Sequence, residues 1–270
     1  MNNKYFRYVL GIVLLAMALA GLFVAKSLLF IVSIFFIIIT TIEYRKMFKQ
    51  KEIYIHRFIP ELVGIVCAYQ ISFSSNLGEH IFVTPVLVLG TLFSFAWTII
   101  RNKKPYIATS LATISAFLFI LCGLYITKMT YFFEPASSWL MIVTYFGSIL
   151  IGDLFACIVG KKFKGKALAS EISPNKTIAG AIAHFVVVVL CSLALIKVLD
   201  FNVWQALGFG VITSITAQIG DLTFSAIKRD LELTHSSNLF CDFGGLLDRM
   251  DSFIISAPVV YYYLSAITVF

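Results

Sequence analysis

The chain has 270 residues, of which 60% are hydrophobic and only 13% charged, with a net charge of +7 and a mean hydropathy of +0.93. A soluble domain carries about 45–50% apolar and about 25% charged residues, so a water-soluble globular protein is excluded. The positive charge is spread over short segments between apolar runs, which fits basic loops against anionic lipid headgroups and excludes a nucleic-acid-binding protein.

A helix that crosses a bilayer needs roughly 20 apolar residues. About nine runs answer to this in chain order: 8–25, 27–42, 58–74, 82–100, 106–127, 138–158, 178–198, 203–222 and 253–270. Only Lys26 separates the first two, and the second is short. The run from Tyr8 reads as an anchor rather than a cleaved leader. With the N-terminus in the cytoplasm, 18 of the 21 Lys/Arg fall on the cytoplasmic side, and only Lys26, Lys128 and Lys197 fall outside. That asymmetry is what the positive-inside rule requires. The expected fold is all-α, a polytopic integral membrane protein of about nine helices with a cytoplasmic N-terminus.

Residues 1–137 read as N-terminal transmembrane helices with little chemistry. The stretch 43–57, E-Y-R-K-M-F-K-Q-K-E-I-Y-I-H-R, reads as a solvated, headgroup-contacting connector. Glu61 reads as interfacial, and the isolated His56 and His80 receive no role. The five cysteines show no C-x-x-C spacing, so neither a disulfide nor a zinc site is expected.

The character changes in 138–270, the expected catalytic region, with polar cytoplasmic loops at 159–177 and 225–251. Each loop follows an acid in a matching tetrapeptide, Ile151-Gly152-Asp153-Leu154 and Ile219-Gly220-Asp221-Leu222. So much charge beside a bilayer is costly unless it faces water or a charged ligand. Asp221, Asp248 and Asp251 are candidate ligands for Mg²⁺, which is commonly held by one or two carboxylates beside phosphates. Asp248 and Asp251 are three residues apart and share a face if the last helix has begun there. The alternative is an ion-pair set with Lys228, Arg229 and Arg249 that ties helix ends together.

The bases fit phosphate. Arg offers a planar fork and Lys a point charge. Gly244-Gly245 lets backbone N–H groups approach an anion. In Ser173-Pro174-Asn175-Lys176-Thr177, Ser173 is the expected N-cap and Pro174 the first helical residue, which puts Lys176 and Thr177 in a first turn. Acids for a cation and bases for phosphates on one membrane side spell a phosphate-handling site.

At these residues the chain resembles the CDP-diglyceride synthetase (phosphatidate cytidylyltransferase) family. The family signature S-x-x-K-R-x4-K-D, then P-G-H-G-G-x-x-D-R-x-D, is matched by Ser225, Lys228, Arg229, Gly244, Gly245, Asp248, Arg249 and Asp251. Its upstream G-D is matched by Gly220-Asp221, its S-P-x-K-T by Ser173, Pro174, Lys176 and Thr177, and its D-x-x-A-x-x-x-G-K by Asp153, Ala156, Gly160 and Lys161. The pattern departs at Thr234-His235, at Cys241-Asp242-Phe243, and at Phe224, Ala179 and Cys157.

The resemblance implies cytidylyl transfer from CTP to phosphatidate, giving CDP-diacylglycerol and pyrophosphate. It implies Mg²⁺ on Asp221 and Asp248, with a second cation left open. It implies catalytic roles for Asp221, Lys228, Arg229, Asp248, Arg249 and Asp251, and substrate contacts from Asp153, Ser173, Lys176, Thr177, Ser225, Gly244 and Gly245. A bacterial inner membrane, an active site facing the cytoplasm and a homodimer are further expectations. Three alternatives stay open: a CTP-dependent enzyme on another lipid phosphate, a non-catalytic homologue, and an ion-coupled transporter using Asp153 and Asp221.

Overall fold

The computed structural model describes residues 26–73, 83–102, 104–129, 135–163, 165–198, 201–237, 239 and 244–268. The expected span at 8–25, His80 and the Cys241-Asp242-Phe243 departure lie outside the described residues. The described chain is almost wholly helical, as composition requires. Its helices are α1 (Lys26–Lys49), α2 (Ile59–Phe73), α3 (Val83–Arg101), α4 (Tyr106–Met129), α5 (Pro135–Phe163), α6 (Ile178–Ser192), α7 (Leu195–Val198), α8 (Val203–Asp230) and α9 (Leu247–Thr268). A short antiparallel pair, β1 (Ala167–Ala169) and β2 (Ser173–Thr177), joins α5 to α6 with Ala167 opposite Thr177.

The chain divides into two compact units. The first holds residues up to Lys128 together with Leu231–Arg249. The second holds Met129–Asp230 and Met250–Phe270.

In the first unit, α1 packs on α2 and α2 on α3. Helix α1 runs well past the apolar stretch that ends near residue 42. The reason is periodic: Ile37, Thr40, Thr41, Tyr44 and Met47 recur at helical spacing and are all buried. The Tyr44 hydroxyl donates to Ser115 Oγ of α4 at 3.0 Å. The expectation of a solvated connector from residue 43 is therefore corrected, since Glu43 is 3% exposed. Glu61 pairs with Arg45 of α1.

His56 caps α2. Its Nδ1 accepts the N–H groups of Phe58 at 3.1 Å and Ile59 at 3.0 Å, and its ring packs edge-on against Trp97, centroids 4.4 Å apart. Burial and the nearby positive charge of Arg45 hold its pKa below the ordinary 6.5. The unfolded chain then binds more protons between the two values, so stability is complete above about pH 6.5 and is lost as the pH falls toward the folded value. Melting temperature is expected to drop between pH 7 and pH 5, and His56→Asn, which still caps but does not titrate there, is expected to flatten that slope. An identical slope in the variant would sink the assignment.

In the second unit, α6 packs along α5 and against α8. The Tyr145 hydroxyl of α5 is buried against α9, donating to the Phe253 carbonyl oxygen at 3.0 Å with Ser256 Oγ at 2.5 Å. Helix α5 leaves Leu150, Ile151, Leu154, Phe155 and Ile158 exposed along one stripe. In water such a stripe would be an aggregation hazard, whereas in lipid it is the expected outer face. Five described helices, within α4, α5, α6–α7, α8 and α9, are long and apolar enough to cross a membrane. The protein is an integral membrane protein.

Candidate active site

The second unit gathers one cluster of charge from four elements. Asp153 comes from α5, Lys176 from β2, Asp221 and Lys228 from α8, and Asp251 from α9. Lys176 forms an ion pair with Asp221. Asp221 Oδ1 also accepts the Ser225 hydroxyl, one helical turn on, at 3.4 Å. Asp153 and Asp251 each lie within electrostatic range of both Asp221 and Lys176, and Asp251 also of Lys228. Three carboxylates thus share two ammonium groups.

The approach of α8 to α9 depends on Gly220. A Cβ there would meet the Asp251 carbonyl oxygen at 2.7 Å and Ile255 Cβ at 3.1 Å. Any larger residue would push Asp221 away from Asp251.

The β1–β2 pair presents Lys176 differently from the sequence expectation. Ser173 does not cap a helix; residues 173–177 form strand β2. The cap is Thr177, whose Oγ1 accepts the Gly180 N–H at 3.1 Å. A strand holds the backbone extended, so Lys176 precedes α6 instead of lying in its first turn. Ser173 is half-buried in the same strand. Arg229 Nε donates to the Ile172 carbonyl oxygen at 3.1 Å, tying the end of α8 to the β1–β2 turn.

One residue of this cluster and one contact escaped the sequence reading. His184, buried in α6, places Nε2 3.5 Å from Asp153 Oδ1 and Nδ1 2.8 Å from Ser214 Oγ. A histidine inside an apolar span was the available signal. The contact is at Phe224, one of the departures from the family pattern. It is buried, and Lys228 Nζ lies 5.0 Å from its ring centre, a cation–π contact that helps hold the ammonium in place.

In the first unit, Asp248 sits in the first turn of α9, as expected, with a side chain only 6% exposed. Its Oδ2 accepts the Ser236 N–H at 2.7 Å, the Ser236 hydroxyl at 2.9 Å and the Gly245 N–H at 3.0 Å. His235, at a departure from the family pattern, places Nδ1 3.9 Å from that same oxygen. Arg249 is exposed, and its N–H donates to the Leu246 carbonyl oxygen at 3.0 Å. A cavity of about 500 Å³ lies beside this turn, lined among others by Lys46, Gln50, Thr234, His235, Ser236 and Ser237.

Among the described residues, no three His, Cys, Asp or Glu side chains are gathered closely enough to cage a metal by themselves. The carboxylate oxygens of Asp221 and Asp248 are hard donors of the type Mg²⁺ takes.

A profile of the cytidylyltransferase family matches residues 5–267. The chain is 36% identical over 133 residues to a phosphatidate cytidylyltransferase of Staphylococcus aureus (strain COL), covering 48% of this chain and 51% of that one. It is 35% identical over 127 residues to one of Synechocystis sp. (strain ATCC 27184 / PCC 6803 / Kazusa), covering 46% and 43%. It is 36% identical over 116 residues to one of Chlamydia muridarum (strain MoPn / Nigg), covering 40% and 38%. The chain thus spans about half or less of the length of these curated relatives. The family match itself runs through nearly the whole sequence, from Tyr5 to Ile267, and on that ground the chain belongs to the cytidylyltransferase family.

Proposed function

We propose that the chain transfers a cytidylyl group from CTP to phosphatidate, giving CDP-diacylglycerol and pyrophosphate. The observation that carries this reading is the Asp153–Lys176–Asp221–Lys228–Asp251 cluster of the second unit, which combines hard oxygen donors with ammonium groups. A phosphatidate phosphate oxygen attacks the α-phosphorus of CTP. The new P–O bond forms as the bond to the bridging oxygen breaks, and pyrophosphate leaves with that electron pair.

No side chain has to supply a nucleophile. The protein's contribution is to align donor and acceptor and to neutralise charge on the phosphates. Lys176 and Lys228 supply positive charge, the first on a strand and the second braced on Phe224. Asp221 and Asp248 are each proposed to hold a cation. Mg²⁺, when bound, neutralises the phosphates of CTP. Asp251 and Asp153 hold the lysines in register, and Ser225 orients Asp221. Ser173, Thr177 and Arg229 are proposed substrate contacts beside this cluster, and Gly244, Gly245 and Arg249 are proposed substrate contacts of the first unit. The basic residues around β1 and β2 and at the end of α8 support a site on the cytoplasmic face of a bacterial inner membrane.

Purified protein in detergent is expected to release pyrophosphate from CTP only when both Mg²⁺ and phosphatidate are present. Asp248→Asn is expected to cut that rate by about 10²-fold or more. CTP turnover with a different lipid phosphate, and none with phosphatidate, would replace the acceptor. No turnover with intact CTP binding to either lipid mixture would overturn the reading.

A further inference from the structure

Glu43, near the end of α1, is 3% exposed. A buried carboxylate is costly unless its lone pairs are met. Here Oε1 accepts the Leu246 N–H at 2.9 Å and the Ser237 hydroxyl at 2.6 Å, and Oε2 accepts the Leu247 N–H at 2.9 Å. The Ser236 hydroxyl stands between two acids, 3.4 Å from Glu43 Oε2 and 2.9 Å from Asp248 Oδ2.

Leu247 opens α9 and Leu246 immediately precedes it, where a helix leaves its first N–H groups without intrahelical partners. Glu43 satisfies two of them from 203 and 204 residues away in the chain. Its negative charge also suits the positive end of the helix dipole. The glycine pair makes this contact attainable. Gly244 has φ +83°, and a Cβ on Gly245 would meet Glu43 Oε1 at 2.6 Å. Asp248 belongs to the same turn, since its Oδ2 accepts the Gly245 N–H. Glu43 and Asp248 thus grip neighbouring N–H groups of one short segment.

We infer that Glu43 is a positioning residue for the reaction: it fixes the 244–248 turn and thereby orients the Asp248 carboxylate. This inference rests on the cytidylyl-transfer reading. The competing role is a helix cap that serves stability alone.

The test uses the full chain in detergent, with Glu43→Gln, Glu43→Asp and the parent protein. Amide hydrogen exchange is measured without nucleotide or metal, and kinetics are measured across an Mg²⁺ titration. Glu43→Gln keeps the shape but removes the charge and one acceptor. Exchange at 244–249 is expected to rise at least about tenfold, with α2–α4 unchanged. Activity is expected to fall, or the half-activating Mg²⁺ concentration to rise, by about 10–100-fold. Glu43→Asp is expected to recover part of both. If Glu43→Gln does not fold, Ser237→Ala, which removes one donor to Glu43, carries the same comparison at smaller amplitude. Unchanged exchange at 244–249 would overturn the inference, as would unchanged kcat and Mg²⁺ dependence. A uniform rise in exchange through α2–α4 would also overturn it, because Glu43 would then only hold the fold. If the parent protein releases no pyrophosphate with phosphatidate, the catalytic claim falls with that reading, while exchange at 244–249 separately reports whether Glu43 holds the turn.

Discussion

Asp221→Asn is expected to lower phosphatidate-dependent pyrophosphate release by about 10³-fold, or about 4 kcal/mol of transition-state stabilisation. The substitution keeps shape and volume. It removes the charge that faces Lys176 and leaves one carbonyl oxygen to accept the Ser225 hydroxyl. Stability is expected to move the other way. Asp221 repels both Asp153 and Asp251 across the cluster, and neutralising it relieves that repulsion. The variant is therefore expected to melt no lower than the parent in the absence of Mg²⁺. Loss of activity without loss of stability is the signature of a site arranged for function at the expense of the fold. Activity within tenfold of the parent would remove Asp221 from the reaction.

Lys176→Met is expected to cost about 10²–10³-fold in kcat/KM, with KM for CTP bearing much of it. Met keeps the aliphatic stem and loses the ammonium. Unlike Asp221→Asn, this change leaves three carboxylates with only Lys228 among the cluster's cations, so the melting temperature is expected to fall. The pair can be tested together. The double variant is expected to be more stable than Lys176→Met alone, because Asp221→Asn removes the carboxylate that Lys176 no longer balances. Strictly additive melting shifts would show that the two side chains are not coupled. An unchanged KM for CTP would show that Lys176 does not meet the nucleotide.

The sequence departures from the family pattern take on physical content in the structure. At the Phe224 departure a buried ring braces Lys228. His235 stands within 3.9 Å of Asp248. Each changes what a neighbouring charged group rests against.

Composition and periodicity were enough to establish a polytopic helical membrane protein, because long apolar runs have no other stable form in a bilayer. Of the eight described helices that correspond to the apolar runs, all but α9 begin close to the expected positions; α9 begins at Leu247, ahead of the expected 253, and so takes in Asp248 and Asp251. The acid–base pattern of the second polar half was likewise legible, since charge beside a membrane calls for a purpose. The exact count of nine spans and the side of the N-terminus rest on sequence alone.

Other properties were decided by tertiary contacts. Ser173 looked like a helix cap, yet pairing with β1 drew 173–177 into a strand and passed the cap to Thr177. A local propensity loses when a neighbouring backbone offers pairing partners, here Ala167 for Thr177 and Ala169 for Ser173. Glu43 looked like the start of a solvated loop, because its own neighbours in sequence are basic and polar. Its partners lie about 200 residues away, beyond the reach of any local pattern. Sequence could show that acids and bases of the right kind are present. Only the folded chain could show which N–H groups each acid serves, because that depends on close approaches to the backbone, of α9 at Gly220 and of the Glu43 carboxylate at Gly245, where a missing side chain is the decisive feature.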